Sequence, residues 1–302
     1  VYGAVVNGMS NMELIKLRRI AAAGMGPQAR GRSLTMCMAI NGDPTWRAGV
    51  APIIRWAQEV WSATIERSSQ SVAWTLPQLK AFWMSAWPAA MQAATSRRPW
   101  NNIKGPIAAM CLSLARIGWS MNGPFALIED LGVERQMTEC SPAMFVKLLR
   151  QAVHRSLERK LSSSWSDPVF AGRRACIDHM KPLLNRTSNN MDSKQKAYLK
   201  AIVCGATWTQ VRATEAGYDV CTLCPLCKLH QDTIFHRAWV CICSKEAREK
   251  IADKELIREA IAAGEESILF TRGVIPHPAD VAPPPTANSE VFIERLDGKP
   301  ED

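Results

Sequence analysis

The 302-residue sequence predicts a mainly α fold: an irregular helical bundle, then a small module with clustered Cys and His, then a Pro-rich tail. Three observations support this prediction. Apolar residues recur at three- and four-residue spacing over much of the first 204 residues, which is typical of amphipathic helices. Four cysteines and two histidines lie within twenty residues near position 230, and proline is frequent after position 276. We therefore expect domains at 1–204, 205–272 and 273–302.

Capping signals and apolar stripes place the helices in order along the chain. Ser10 and Glu13 form a capping-box pattern before the first helix. Asp43 caps a second helix, within which Pro52 marks either a kink or a second start. Residues 100–132 are broken by Gly and Pro, so short elements or a loop are expected there. The other predicted helices begin at Pro77 and Ser141, and occupy about 167–184, 192–205 and 244–263.

The net charge of +9 is distributed unevenly. Residues 1–140 hold 14 basic and 8 acidic side chains, residues 141–200 hold 12 and 4, and residues 201–302 hold 11 and 16. A basic segment of this kind is typical of chains that contact nucleic acid, although solvated helix faces have the same pattern. The candidate phosphate contacts are Arg155, Arg159, Lys160, Arg173 and Arg174.

The composition is that of an ordinary globular protein and excludes a wholly disordered or fibrous chain. No apolar run approaches the roughly 18 to 20 residues that a membrane-spanning helix needs, so no membrane association is expected. No secretory signal is visible either, which favours an intracellular location. Because the chain begins at Val1 without Met, we interpret it as a piece of a longer protein.

Residues 224–241 carry the strongest motif, Cys-x2-Cys-x8-His-x4-Cys, through Cys224, Cys227, His236 and Cys241. Two cysteines two residues apart can place both thiolates on one side of a tight turn, where backbone amides stabilise their charge. A His and a Cys close behind can complete the tetrahedron that structural Zn²⁺ requires. Four protein ligands leave no open position, so this small module is predicted to hold a structural rather than a catalytic zinc.

Three nearby residues are alternative ligands, and the sequence argues against other kinds of site. Cys221, His230 or Cys243 could replace a ligand at either end of the motif. A zinc deaminase is excluded because none of the five histidines is followed two residues later by Glu. Glycine-rich nucleotide motifs are absent, and no catalytic triad can be singled out. The sequence therefore does not indicate an enzyme.

Around this motif the chain resembles the zinc-finger module that follows the reverse transcriptase domain in non-LTR (LINE-like) retrotransposon polyproteins. The matching text includes Ala206-Thr-Trp208-Thr, Cys224-Pro-Leu-Cys227, Asp232-Thr-Ile and His236-Arg-Ala-Trp239-Val-Cys241. A second match, to the segment just after the polymerase palm, includes Tyr2-Gly3, Glu13-Leu14, Leu17-Arg18-Arg19, Gly31-Arg32-Ser33-Leu34 and Gly42-Asp43-Pro44-Thr45. Lys228 departs from the pattern, because such knuckles often have Gly there.

The resemblance implies a non-catalytic, nucleic-acid-binding part of a retrotransposon polyprotein whose parent is an RNA-directed DNA polymerase. This chain lacks the Tyr/Phe-x-Asp-Asp motif that holds the polymerase metal ions, and it has no ribonuclease H site. The implied partners are RNA or DNA and other domains of the same polyprotein, and the implied location is nuclear. Two alternatives remain open: a zinc-stabilised helical scaffold for protein interactions, and a decayed element without activity.

Overall fold

A computed structural model describes residues 4–25, 31–64, 74–184 and 191–280, and it confirms the mainly α fold class. In these residues the helices are α1 (Ala4–Asn7), α2 (Asn11–Met25), α3 (Leu34–Asn41), α4 (Trp46–Gly49), α5 (Ala51–Thr64), α6 (Leu76–Ala94), α7 (Gly105–Arg116), α8 (Pro142–Ser162), α9 (Lys181–Leu184), α10 (Ser193–Val203), α11 (Gln210–Glu215), α12 (Lys245–Glu249), α13 (Lys254–Ala263) and α14 (Ile268–Arg272). The strands are β1 (Ser120–Met121), β2 (Ala126–Ile128), β3 (Glu134–Gln136), β4 (Ala175–Cys176) and β5 (Ile275–Pro276).

Packing divides the described residues into two compact units. Unit 1 holds the described residues of 4–21 and 43–156, and unit 2 holds the described residues of 22–42 and 157–280. The predicted domain boundaries after residues 204 and 272 stay predictions, and most of the predicted tail, from 281 onward, lies outside the described residues. No helix in the described ranges is both long and apolar enough to cross a membrane.

The core of unit 1 is formed by apolar faces of α5, α6 and α7 and the first turns of α8. Two tryptophans pack into this core, and the indole N–H of each donates a hydrogen bond to a backbone carbonyl. Trp56 donates its indole N–H to the carbonyl of Pro124 at 2.8 Å, and Trp61 donates to the carbonyl of Met137 at 2.9 Å. These bonds remove the cost of burying an indole N–H without a partner. The largest fully buried side chains here include Leu14, Ile53, Ile107, Met110, Leu114, Leu127, Met137 and Phe145.

Residues 100–132, expected to hold short elements or a loop, contain the twelve-residue helix α7 followed by a small sheet. Pro106 lies in the first turn of α7, where its missing N–H costs nothing, so the Gly-Pro pair starts this helix rather than breaking one. The antiparallel sheet has the order β1-β2-β3, with Met121 opposite Leu127 and Leu127 opposite Arg135. The expectation of short elements is right only for the part after α7.

Unit 2 packs α3, the end of α8 and α10 around a second apolar core. Its buried members include Met36, Met38, Leu157, Leu161, Phe170, Ile177, Met180, Val203 and Val274. β4 pairs antiparallel with β5, with Cys176 opposite Ile275. The N–H of Ser33 donates to the carbonyl of Cys204 at 2.9 Å, which joins the start of α3 to the end of α10.

Two helix predictions are wrong in extent. Residues 167–184 form a 3-10 turn, the strand β4, a second 3-10 turn and only the short helix α9, because Pro and Gly interrupt any longer helix. Residues 244–263 form two helices, and Asp253 caps the second by accepting the N–H of Leu256 at 2.8 Å. At Pro52 the structure shows the second start rather than the kink, since α5 begins at Ala51.

Candidate metal centre

The Cys224–Cys227 pair lies at the tip of a short antiparallel hairpin. The N–H of Asp232 donates to the carbonyl of Thr222 at 2.8 Å, and the N–H of Cys224 donates to the carbonyl of His230 at 2.8 Å. At the turn itself, the N–H of Lys228 donates to the carbonyl of Cys224 at 2.8 Å. This closed turn holds both thiols on one side of the hairpin, as the two-residue spacing predicts.

Lys228 has a left-handed backbone, with φ of 58°, and among the described residues it is the one non-glycine with positive φ. Such a conformation costs an L-residue roughly 1 kcal/mol or more, and glycine adopts it freely. The departure from the Gly of similar knuckles therefore leaves the turn in place and adds strain to it.

The second half of the centre is a helical segment that carries His236 and ends at Cys241. Thr233 starts this segment, because its hydroxyl accepts the N–H of His236 at 3.1 Å. The segment closes with a wide turn in which the N–H of Cys241 donates to the carbonyl of His236, five residues earlier, at 2.8 Å. This i→i+5 turn brings the His and Cys side chains to the same side despite their four-residue gap.

The structure brings together all four predicted ligands, whose ligand atoms lie within 4.8 Å of one another. Cys224 Sγ is 4.0 Å from Cys241 Sγ, and Cys227 Sγ is 3.3 Å from His236 Nε2. A tetrahedral zinc site has S···S edges of roughly 3.8 Å and S···N edges of roughly 3.6 Å, given its bond lengths. These two distances are close to the edges of such a tetrahedron, and the other pairs of donor atoms lie within 4.8 Å, so the four residues could hold a metal ion.

The three alternative ligands lie outside this group. Cys221 and Cys243 are exposed, whereas Cys224 and Cys241 are fully buried and His236 nearly so. His230 contacts the ring of His236 at a centroid distance of 5.4 Å without joining the four. Its backbone carbonyl, which accepts from Cys224, is the part of His230 that helps to build the site.

The electrostatics of the hairpin tip favour a thiolate. The backbone N–H of Leu229 lowers the pKa of the Cys227 thiol more than any other group does. Desolvation raises that pKa, whereas the N–H of His230 and the contact with His236 lower it further. Together they lower the pKa of Cys227 to about 6. Burial, in contrast, raises the pKa of Cys241. Metal binding would deprotonate the remaining thiols, so the centre is arranged to exchange protons for a cation.

Comparisons with protein-family models, curated proteins and solved structures give no match to this chain. The chemistry of the centre is therefore inferred from its own donor atoms: three thiols and one imidazole that could bind a metal ion.

A buried carboxylate connects the metal centre to α11. Asp232 is fully buried and accepts two hydrogen bonds from Arg237, each of 2.6 Å. Its second oxygen also accepts the N–H of Gln210, the first residue of α11, at 2.7 Å. Burial acts to raise the pKa of Asp232, but Arg237 and the Gln210 amide outweigh it and hold the pKa below its usual value.

Asp232 lies in the stretch that carries the resemblance, but the sequence alone indicates no role for it. Its partner Gln210 is 22 residues away, so no local pattern indicates the contact. The one available signal was the spacing of Asp232 and Arg237, opposite charges that flank the candidate ligand His236. Trp239, also quoted in the resemblance, donates its indole N–H to the carbonyl of Phe270 at 2.7 Å and so attaches the segment to α14.

The predicted phosphate contacts are placed in two different settings. Arg155 binds Asp130 through two hydrogen bonds of 2.7 and 2.5 Å in unit 1, and it is mostly buried. Arg174 binds Asp280 through several hydrogen bonds of 2.7 to 3.1 Å in unit 2. Both guanidinium groups therefore have structural partners within their own units.

The other three candidates differ in exposure. Lys160 is exposed, and Arg159 and Arg173 are half-buried. The Nε of Arg173 is buried and has no hydrogen-bond partner among the described residues. Of the five, Lys160 is thus the most accessible to a large ligand.

Proposed function

We propose that Cys224, Cys227, His236 and Cys241 bind a structural Zn²⁺. The supporting observation is the approach of three thiols and one imidazole to within 4.8 Å of one another. This soft donor set, with tetrahedral spacing, favours zinc over the hard cations Mg²⁺ and Ca²⁺. With four protein ligands the ion has no open position for a substrate, so its role is to fold the module. Zinc would then contribute on the order of 10 kcal/mol to that folding.

We further propose that the chain is a non-catalytic, nucleic-acid-binding part of a retrotransposon reverse transcriptase polyprotein, holding template or target RNA or DNA in the nucleus. Its support is the resemblance around the metal motif and the excess of basic residues in 141–200, with 12 basic against 4 acidic. Arg155 and Arg174 bind carboxylates, whereas Lys160 is exposed. We therefore assign the phosphate contacts to Lys160 and other accessible cations rather than to those two arginines.

Filter binding of the zinc-loaded chain to RNA and to DNA, over a series of salt concentrations, tests the nucleic-acid proposal. Each phosphate contact adds about 0.7 to 0.9 to the slope of log affinity against log salt, so a steep negative slope is expected. Binding that does not depend on salt, or no binding at all, would contradict it.

A second candidate function is a zinc-stabilised protein-interaction scaffold. Its support is the apolar surface of the hairpin, where Leu226 and Leu229 are 62% and 64% exposed, on an acidic part of the chain. Exposed leucines on a small knuckle are typical of a surface that another protein covers. A chain that binds zinc but neither RNA nor DNA in the salt series would favour this scaffold.

A further inference from the structure

Two buried thiols of unit 2 lie in contact although they are far apart in the sequence. Cys37 is in the first turn of α3, and Cys204 directly follows α10. Their Sγ atoms are separated by 167 positions of sequence and lie 3.6 Å apart, at the distance of a thiol–thiol hydrogen bond. Both side chains are fully buried in the apolar core of the unit. Neither residue belongs to the four of the candidate metal centre, so the pair is a separate site.

Backbone hydrogen bonds hold the two thiols beside each other. The N–H of Ser33 donates to the carbonyl of Cys204 at 2.9 Å, and the N–H of Cys37 donates to the carbonyl of Ser33 at 3.1 Å. The Ser33 hydroxyl accepts the N–H of Met36 at 3.2 Å and so caps α3. Because the S–S bond of a disulfide is about 2.05 Å long, the two sulfurs need to approach by roughly 1.5 Å to form one. The contacts of Ser33 keep the two cysteines at this close range.

The surroundings of the pair favour a thiolate on Cys37. The hydrogen bond with Cys204 lowers the pKa of Cys37 most, burial opposes it, and the charge of Arg32 lowers the pKa further, to about 7. The same hydrogen bond and burial raise the pKa of Cys204. At neutral pH Cys37 is therefore partly ionised while Cys204 keeps its proton. Since the thiolate is the form of cysteine that reacts with oxidants, Cys37 is the nucleophile of the pair.

We propose that Cys37 and Cys204 are an oxidation site, which forms an intramolecular disulfide on reaction with a small hydroperoxide. The Cys37 thiolate attacks the peroxide, whose O–O bond breaks, and a sulfenic acid and hydroxide are formed. The Cys204 thiol then attacks the Cys37 sulfur. The S–O bond breaks as the S–S bond forms, and the hydroxyl leaves with the thiol proton as water. The two sulfurs thus lose two electrons, which reduce the peroxide. Burial keeps bulky oxidants away from the pair, so a small one is required.

The disulfide would join two separate stretches of the chain that build unit 2. α3 belongs to the stretch within 22–42, and α10 belongs to the stretch within 157–280. A crosslink over 167 positions removes much of the entropy of the unfolded chain, so oxidation is expected to stabilise the unit. For a loop of this length the Tm of the unit rises by roughly 10 °C.

Peptide mapping by mass spectrometry tests the site in the full chain. The reduced, zinc-loaded chain is treated with dilute hydrogen peroxide and unfolded, its free thiols are alkylated, and it is digested without a reductant. The expected product is a crosslinked pair of peptides that contain Cys37 and Cys204. Cys176 is the internal control, because it is buried in the same unit and has no thiol partner among the described residues, so it is recovered alkylated. In Cys204→Ala, dimedone should trap the sulfenic acid of Cys37.

The change in Tm on oxidation gives a second readout, compared between the wild type and Cys204→Ala. Oxidation of other thiols affects both chains alike, so a shift roughly 10 °C more positive in the wild type supports the new bond. Recovery of Cys37 and Cys204 alkylated to the same extent as Cys176 would overturn the site, and so would a crosslink of Cys37 to a different cysteine. The wild-type peptide map decides this even if the variant folds poorly. A crosslink between Cys37 and Cys204 with equal shifts in both chains would overturn the stabilisation of unit 2.

Discussion

Replacing Asp232 by Asn is expected to lower the free energy of unfolding of the zinc-loaded chain by about 2 to 3 kcal/mol. The Asp232 carboxylate is fully buried and accepts two bonds of 2.6 Å from Arg237 and one of 2.7 Å from Gln210. Hydrogen bonds to a charged group contribute about 1.5 to 3 kcal/mol each, and Asn can keep the bond from Gln210. Because Arg237 is 36% exposed, water can take over part of its lost pairing, which keeps the loss below the roughly 3 to 5 kcal/mol of a fully buried pair.

Urea unfolding followed by far-UV circular dichroism, with zinc in excess, measures this change. With an m-value of about 2 kcal/mol/M, the midpoint of the zinc-dependent transition falls by roughly 1 to 1.5 M. Asp253→Asn is the matched control, because Asp253 is an exposed helix cap and Asn caps a helix equally well. If Asp232→Asn costs no more than Asp253→Asn, the coupling of the metal centre to α11 through this carboxylate is refuted.

Three further predictions follow from single groups. Lys228→Gly is expected to tighten zinc binding a few-fold in a chelator competition, because it relieves the left-handed strain of roughly 1 kcal/mol; weaker binding would contradict the assigned backbone. Burial raises the pKa of Glu158 to about 7, above its value in an unfolded chain, so stability is expected to fall as pH rises from about 4 to 7. Glu158→Gln should flatten that decline in urea titrations at several pH values, and an unchanged decline would contradict it. A zinc chelator should speed hydrogen exchange at the amides of Cys224 and Asp232 while the amides of α5 stay protected. Equal acceleration at the hairpin and at α5 would contradict a local role for the metal.

Features set by short-range chemistry could be predicted from the sequence. The spacing of Cys224, Cys227, His236 and Cys241 indicated four ligands for one ion, and the structure brings those four together. The capping box at Ser10 and Glu13 is present, since the N–H of Ser10 donates to the Glu13 carboxylate at 2.7 Å. Both patterns depend on contacts within about twenty residues.

Features set by distant contacts could not be predicted in this way. Arg155 and Arg174 were interpreted as phosphate contacts because their basic neighbours are visible in the sequence, whereas Asp130 and Asp280 lie 25 and 106 residues away. The role of Asp232 at the start of α11 was missed for the same reason. The Gly-Pro pair at the start of α7 shows a different limit, because the same residues can start a helix or end one.

Metal analysis of the purified chain tests the central claim most directly. We expect one zinc per wild-type chain, and markedly less in Cys227→Ser, because the thiol at the hairpin tip is one of the four proposed ligands. Cys221→Ser is the control, since Cys221 is exposed and outside the four-residue group, and it should keep its zinc. Less than one zinc in the wild type, or no loss in Cys227→Ser, would contradict the assignment of a structural zinc to these four residues.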